Sequence, residues 1–540
     1  MAVNKKAIFV VVFFGGILLT STILFALPPP NPTMSEGESE MEITRTGTPM
    51  DNFPDEQRDT FCGVEDAQSN SYVTEYMIPT VCTQPLAIKV TPDGNVWFVE
   101  SNAGRIVKFN PQSEKFIEFE NPMWPEQART MSWGIDYSPD GSLWYTDGVF
   151  DTIWKFNTFD ETYTPLSYPQ ADSGSLPQKL EIDGSNIFVN DFTGGKITIF
   201  DLVQNIDEIQ YTSILNPIPE AFTGDFAIDS ENHLWYTNWV PETTGFLVKF
   251  NFEKYKQETL IQLESGNATP LEDYIQVFEF PNDLNTANGL AIDSGDNVWI
   301  VDTSSSFFFK FNPSTEKFTK YITTIPDIST YGNTTGVIKS PISRPYWVTI
   351  DSQDNIVFNE QTGNQIGVFD HKNDLLVEYM IPSKNPNWAD CDLSSKTNCG
   401  VSQVFGFDVT DNQIWFTEWA ENKIGVIDTA KELPFSLEFD KQKFSIKKGY
   451  NDTVKLTITY PEITNWSNIK IKSSHTASST VNFSDLEITS SSNQLESETQ
   501  EIIFTIHASQ TSLSGNYKVL LGVADDDVTI SKYIDVTIES

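Results

Sequence analysis

The segment PDGNVWFVE, at residues 92–100, contains the pattern that decides the fold of this chain. A turn rich in Asp, Gly and Asn precedes a short apolar strand that ends on an acid or an amide. Such turn residues tolerate positive φ and close tight hairpins between antiparallel strands. Copies of this strand recur along the chain, at residues 96–100, 143–147, 187–191, 234–238, 298–302, 356–360 and 414–418.

Each copy lies within a larger unit of short strands, and the units recur roughly every 45–60 residues, a period typical of propeller blades. A single blade leaves its faces exposed, whereas a closed ring of blades buries them. We therefore predict an all-β chain with a seven-bladed β-propeller at residues 71–432. A linear β-solenoid is the alternative, but it would need shorter rungs of parallel strands.

The two ends of the predicted ring carry matching sequences. EYMIP occurs at residues 75–79, before the first unit, and again at residues 378–382, in the fourth strand of the sixth unit. The seventh unit has no fourth strand of its own. The sequence therefore predicts that the N-terminal strand completes the last blade, which removes an exposed sheet edge.

Residues 433–540 have a different sequence pattern, in which runs of alternating apolar and polar residues are separated by turns rich in Ser, Thr and Asn. This pattern predicts an immunoglobulin-like β-sandwich. The segment contains no recognisable catalytic motif, so we interpret it as a spacer or adhesion module.

The N-terminus reads as a membrane segment. Residues 7–27 are nearly all apolar and carry no charge, and a helix of that length crosses a hydrocarbon layer of roughly 30 Å. Lys5 and Lys6 precede it, which predicts that residues 1–6 stay in the cytoplasm. A cleaved signal peptide is the alternative. The acidic, Pro-rich residues 28–70 are expected to form an unfolded linker, and the bulk of the chain to lie outside the cell, membrane-tethered or secreted.

Charge and cysteine content agree with that location. The chain has 75 Asp and Glu against 34 Lys and Arg, so phosphate repulsion excludes nucleic acid as the expected partner. The four cysteines suit an oxidising compartment. Pairing of near neighbours predicts disulfides Cys62–Cys82 and Cys391–Cys399, although sequence alone leaves the other connectivities open.

The motif IWFTEWAENKIG at residues 414–425, like PDGNVWFVE, closely resembles the repeat of the streptogramin (virginiamycin B) lyase family. The resemblance covers about residues 72–430, and Asn288-Gly289-Leu290 is more weakly similar to a metal-binding loop of gluconolactonase-like propellers. It implies a propeller that opens a lactone with a magnesium ion and a histidine base. Both would lie on one rim of the ring, where the first strands start and the second strands end.

The histidine of that family has no counterpart here. The matching position at the start of each first strand is filled by other residue types, at Leu86, Trp133, Gln178, Gly224, Asn288, Tyr346 and Phe405. Because the base is absent, the resemblance implies the fold more strongly than the lyase reaction.

The metal-holding glutamate of the family matches the last residue of each second strand. These positions carry Glu100, Asp147, Asp191, Asn238, Asp302, Glu360 and Glu418. One interpretation is a ring of oxygen ligands for Mg²⁺ or Ca²⁺, in which Asp302, Glu360 and Glu418 are the candidate metal ligands. The alternative is that each acid caps its own hairpin by accepting hydrogen bonds from loop N–H groups.

Aromatic residues are expected to lie on the same rim, and they predict a binding site there. The candidate ligand-binding residues are Trp133, Asn288, Tyr346, Trp347, Phe405 and Trp419. Two insertions, at residues 326–343 and 383–403, enter the ring beside them and resemble a lid. We predict a protein that binds a glycan, a cell-envelope component or a partner protein at this rim. A divergent metal-dependent lyase or lactonase is the alternative.

Overall fold

The computed structural model describes residues 48–125, 128–169, 174–202, 209–219, 221–240, 243–265, 271–327, 330, 332, 341–391, 399–459, 469–477, 486–493, 495 and 499–540. The predicted cytoplasmic tip, the membrane segment 7–27 and the first part of the predicted linker lie outside these residues. Within the described ranges, no helix is long and apolar enough to cross a membrane.

The repeat units fold as seven antiparallel blades of four strands, as the sequence predicts. The strands of blades one to three are β2 (Pro85–Val90), β3 (Val96–Glu100), β4 (Arg105–Asn110), β5 (Lys115–Phe119), β6 (Ile135–Tyr137), β7 (Ser142–Asp147), β8 (Thr152–Asn157), β9 (Thr162–Ser167), β10 (Pro177–Asp183), β11 (Asn186–Asp191), β12 (Lys196–Asp201) and β13 (Gln210–Leu215).

Blades four to seven continue the ring. Their strands are β14 (Phe222–Ile228), β15 (His233–Val240), β16 (Thr244–Asn251), β17 (Ile275–Glu279), β18 (Ala287–Ile292), β19 (Val298–Asp302), β20 (Phe307–Asn312), β21 (Lys317–Ile322), β22 (Pro345–Ile350), β23 (Ile356–Glu360), β24 (Gln365–Asp370), β25 (Leu375–Met380), β26 (Val404–Val409), β27 (Gln413–Glu418) and β28 (Lys423–Asp428).

The second strand of each blade forms its core. Every residue of β3 is buried, because β3 packs between neighbouring blades on both of its faces. The outer strand β5 is mostly exposed or half-buried and carries charged residues, as expected for a strand with one face in water. The tryptophans of the second strands, among them Trp144, Trp235, Trp299 and Trp415, are fully buried.

Strand β1 (Val73–Met77) closes the ring. It pairs antiparallel with β28, from Val73 opposite Ile427 to Met77 opposite Lys423, so the N-terminal strand is the fourth strand of blade seven. The inner strand β26 of that blade contacts β2 of blade one. The closure prediction is confirmed, and the ring has no open blade between its ends.

The C-terminal segment is a two-layer β-sandwich. Its strands are β29 (Ser436–Phe439), β30 (Lys443–Lys447), β31 (Asn451–Thr459), β32 (Lys470–His475), β33 (Leu486–Ser490), β34 (Thr499–Ala508), β35 (Gly515–Ala524) and β36 (Val528–Glu539). One layer has the order β29-β31-β34-β33, and the other joins β30, β36, β35 and β32. The immunoglobulin-like assignment stays a prediction.

The sandwich is not the detached spacer that its sequence suggested. Strand β36 pairs antiparallel with β25, so blade six and one layer of the sandwich form a single continuous sheet. The Tyr533 ring lies 5.2 Å from both Tyr321 and Phe369, and its hydroxyl donates a 2.5 Å hydrogen bond to the Ile322 carbonyl. This docking covers the outer edge of blade six, which would otherwise be an unpaired strand.

Two short helical segments complete the description. Helix α1 (Arg58–Phe61) follows 3₁₀ turns at Pro49–Asn52 and Asp55–Gln57, and helix α2 (Phe252–Ser265) follows β16 in blade four. The α1 region belongs to the part of the chain that the sequence assigned to an unfolded linker. Instead, Phe53 and Phe61 are 2% and 3% exposed, so this part of the segment is packed against the propeller.

Candidate functional site

The site begins with a distortion shared by the inner strands. In six blades the pairing register shifts near the start of the first strand, as between Pro85 and Ile88 in β2 or Pro345 and Val348 in β22. Such a bulge kinks the strand and redirects a side chain. The residues that match the family's histidine position, including Leu86, Tyr346 and Phe405, lie at these shifts.

Five of the six predicted ligand-binding residues form one aromatic cluster on this rim. The Trp133 ring centroid lies 5.8 Å from Tyr346 and 5.4 Å from Phe405, across the mouth of the channel. Phe405 is 5.8 Å from Trp419, and Trp347 stacks edge-on against Tyr346 at 5.2 Å. The rim aromatics are therefore neighbours in space although they come from blades two, six and seven.

Asn288, the sixth predicted ligand-binding residue, is polar and occupies the equivalent rim position of blade five. Its amide nitrogen donates to the Thr303 hydroxyl at 3.1 Å, whereas its oxygen has no hydrogen-bond partner among the described residues. The same holds for the Gln178 amide nitrogen and the Tyr346 hydroxyl, both buried. Buried polar atoms without partners are uncommon in folded proteins, so these three mark a place where a ligand or water would be bound.

Residues 48–64, here called the strap, cover the aromatic cluster. Phe61 packs against Trp388 at 5.7 Å and against Trp419 at 5.9 Å, and Phe53 stacks on Phe61 at 5.1 Å. Disulfide Cys62–Cys82 joins the end of the strap to the segment that leads into β2. The sequence predicted no ordered element here, although two Phe residues and a Cys in an otherwise polar stretch were a signal for one.

The two predicted lid insertions meet beside the strap. Gly332 bridges to Asp390, and the Gly400 amide donates to the Thr330 carbonyl at 2.9 Å. Disulfide Cys391–Cys399 lies within the second insertion. Both predicted disulfides are confirmed, and no cysteine among the described residues is left as a free thiol.

The channel below the mouth is lined by opposite charges. Lys89 lies 3.0 Å from Asp136, and Lys179 lies 2.9 Å from Asp225, in each case between adjacent blades. Burial, and then the charge of Asp225, raise the pKa of the Tyr346 phenol above its usual value. Tyr346 is therefore a neutral hydrogen-bonding group at the mouth rather than a base.

Asp302 acts as a hairpin cap. One carboxylate oxygen accepts hydrogen bonds from the Thr286 and Ser304 amides at 2.9 and 3.1 Å, and the other accepts the Ser305 hydroxyl at 2.8 Å. Asp147 accepts the Val149 and Phe150 amides in the same way. These contacts support the capping interpretation of the acids, because their oxygens are occupied by the protein.

Glu360 and Glu418 are buried next to other carboxyl groups. Burial, and next the Glu378 carboxylate, raise the pKa of Glu360 well above its usual value, and burial followed by Glu75 does the same for Glu418. Lys423, also fully buried, lies 3.8 Å from Glu75. The described residues contain no group of three or more His, Cys, Asp and Glu side chains that could hold a metal ion.

All four histidines lie away from this mouth. His233 begins the second strand of blade four and pairs with Asp229 at 3.1 Å. His371 lies in the turn between the third and fourth strands of blade six and pairs with Asp354 at 3.3 Å, so both histidines are at the end of the blades opposite the mouth. His475 and His507 belong to strands β32 and β34 of the sandwich. The tertiary structure thus brings no imidazole to the positions where the family resemblance would require one.

Comparison with known proteins yields structural likeness only. No family model matches the chain, and no curated protein matches it. Virginiamycin B lyase from Staphylococcus aureus is 20% identical over 66% of this chain and 98% of its own, with a TM-score of 0.48. A streptogramin B lyase structure has the same identity and TM-score, with 66% and 97% covered. A putative gluconolactonase is 9% identical, with 55% and 88% covered and a TM-score of 0.32. The chain is thus similar to the propellers that its repeat motif resembles, and the similarity concerns the fold.

Proposed function

We propose that this protein is a membrane-tethered, extracellular binding protein that recognises its ligand at the aromatic rim of the propeller, around blades five to seven. The observation that carries the proposal is the mouth itself: clustered rings of Trp133, Tyr346 and Phe405 beside the unpartnered polar atoms of Gln178 and Asn288. Apolar surface with a few convergent polar groups is typical of ligand sites.

The proposed location rests on two supports. The apolar segment 7–27 is long enough to serve as an anchor, and disulfides persist chiefly in oxidising compartments. Both disulfides fix elements around the rim, so the site depends on an environment in which they stay oxidised. A glycan, a cell-envelope component or a partner protein is the class of ligand expected there.

The proposal is tested by intrinsic tryptophan fluorescence, since Trp133 and Trp347 are only partly buried at the mouth. Oligosaccharides, peptidoglycan fragments and peptides are titrated against the full chain and against Trp133→Ala and Trp347→Ala. Phe159→Ala, at a side chain 81% exposed in blade two, is the matched control. Saturable binding that both Trp variants weaken and the control does not supports the proposal. Binding whose affinity is the same in both Trp variants as in the wild-type chain contradicts the proposal.

The lyase alternative gains no support from the residues at the mouth. A general base near neutral pH typically contributes about 10²–10⁴-fold to the rate. The base positions hold Tyr346 with a raised pKa, the amides of Gln178 and Asn288, and apolar residues. We therefore expect no measurable opening of a streptogramin B lactone in the presence of Mg²⁺. Turnover comparable to that of a lyase would favour the lyase alternative over the binding proposal.

A further inference from the structure

The strap occupies the rim in the manner of a bound peptide. Its two phenylalanines, Phe53 and Phe61, are buried against rings of the rim, and the Arg129 guanidinium lies 5.0 Å above the Phe53 ring. Between these anchors the strap contains only single-turn helical segments. Short turns of this kind have little stability of their own, so the strap is held by its contacts with the propeller.

The propeller also recognises the strap's backbone. The Asn102 amide donates to the Pro49 carbonyl at 2.8 Å, and the Asn385 amide donates to the Asp59 carbonyl at 2.9 Å. The Trp388 indole donates to the Thr60 carbonyl at 2.7 Å. These donors come from blade one and from the second insertion, and they bind peptide carbonyls of the strap. Asn102 also accepts a hydrogen bond from the Asn52 side chain at 2.9 Å. Backbone recognition combined with side-chain pockets is how folded domains bind extended or turn-forming peptides.

We propose that the rim is a polypeptide-binding site whose resident occupant is the strap, and that its external ligand is a polypeptide segment presenting two aromatic side chains. The inference rests on the proposed function and narrows its ligand class to protein. The strap belongs to the same chain and therefore competes with an external segment for the rim at a high effective concentration. An external segment binds strongly only when the strap has left the binding site. Binding and strap release are then one coupled equilibrium.

The exchange requires that the strap opens without the propeller unfolding. The strap is attached at one end by Cys62–Cys82, and its other contacts include the two rings and the three donors. It is also held by hydrogen bonds from Asn52 to Asn102, from Asn387 to the Asp59 carbonyl and from the Val64 amide to Glu421. Segments with few contacts open locally at a small fraction of the cost of global unfolding. The seven blades do not depend on the strap, since ring closure is made by β1, which follows it in the chain.

The test uses the full chain and a fluorescent synthetic peptide with the sequence of residues 48–61. The strap is loosened by the double substitution Phe53→Ser and Phe61→Ser, and binding is followed by fluorescence anisotropy. The labelled peptide is expected to bind this variant at least about tenfold more tightly than the wild-type chain, whose strap occupies the seat. A peptide with Ser at both Phe positions, and the exposed-site variant Phe159→Ser, are the matched controls.

A second variant guards against misfolding of the first. Cys62→Ser with Cys82→Ser releases the tether but keeps both phenylalanines, and it should bind the peptide more tightly than wild type, though less tightly than the Phe variant. Adding Trp388→Ala to either variant should weaken peptide binding at least about tenfold, because a pocket wall and a donor are lost together.

The outcomes separate the inference from the proposed function. If the loosened variants bind oligosaccharides but not the peptide, the polypeptide assignment is overturned and rim binding stands. If they bind neither, both fall. If the wild-type chain binds the peptide as tightly as the loosened variants, the strap does not occupy the site at which the peptide binds. The proposed competition between strap and peptide is then overturned.

Discussion

The Thr417 hydroxyl donates a 2.8 Å hydrogen bond to the Leu86 carbonyl oxygen, which joins the second strand of the last blade to the first strand of the first. Equivalent bonds link other neighbouring blades, from Thr146 to the Gln178 carbonyl and from Thr237 to the Ala287 carbonyl. Each satisfies a carbonyl exposed by the bulge in an inner strand. The same residues that shape the mouth thus also hold adjacent blades together.

Replacing this bond tests the closure. Thr417→Val should lower the free energy of unfolding by about 1–3 kcal/mol, because the buried Leu86 carbonyl loses its partner. Val fits the space, since the matching positions in blades one and five are Val99 and Val301. Urea denaturation measures the change, with Thr453→Val on an exposed face of β31 as the control. Equal stability of both variants and wild type would show that the bond contributes nothing.

Strand β1 should be essential for the last blade. Val73 is fully buried opposite Ile427, whereas Met77, on the same strand, is 39% exposed. Val73→Asp places a charge in the core and should cost at least about 2 kcal/mol, seen as a lower melting temperature or insoluble protein. Met77→Asp should melt close to wild type. Similar melting of the two variants would contradict the closure by β1.

The buried glutamates predict an unusual dependence of stability on pH. Burial raises the pKa of Glu360 and of Glu418 above the ordinary value of 4.5, so the folded state holds protons that the unfolded state releases. Stability from these groups is therefore lost as the pH rises from about 4.5 through the folded pKa values.

Glu360→Gln and Glu418→Gln should remove part of this slope and stabilise the protein at pH 8, because an uncharged amide replaces a group whose ionisation opposes folding. Urea denaturation at several pH values between 5 and 8.5, compared with the exposed-site variant Glu487→Gln, measures the difference. A steeper slope in the buried-site variants than in wild type would show that the sign is wrong.

Docking of the sandwich should make the two domains unfold together. Tyr533→Ala removes a fully buried ring between blade six and the sandwich and should cost about 3–5 kcal/mol. We expect one calorimetric transition in wild type and two separated transitions in Tyr533→Ala. Tyr450→Ala, at a ring 66% exposed in the sandwich, should keep the single transition. Two transitions already present in wild type would contradict the coupling.

The sequence by itself determined the blade count, the closing strand and the disulfide pairs. Local patterns were sufficient for these, because a turn such as Asp93-Gly94 and the buried strand after it specify a hairpin without reference to distant residues. The repeated EYMIP pentapeptide similarly identified β1 as an outer strand. The sequence also placed Trp133, Tyr346 and Phe405 on one rim, because blade repeats put equivalent positions at equivalent places.

Only the tertiary structure decided what the rim looks like and what covers it. Phe53 and Phe61 lie in a mostly polar stretch whose partners are far away in the sequence. Phe61 is buried against Trp388 and Trp419, and Phe53 stacks on Phe61. Asp302 and Glu360 occupy equivalent positions of the repeat, but their neighbours give them different roles. Asp302 caps a hairpin, and Glu360 faces Glu378. The pairing of β36 with β25 likewise could not be predicted from the sequence. The backbone groups of an unpaired strand edge can bind any strand that the fold places beside them.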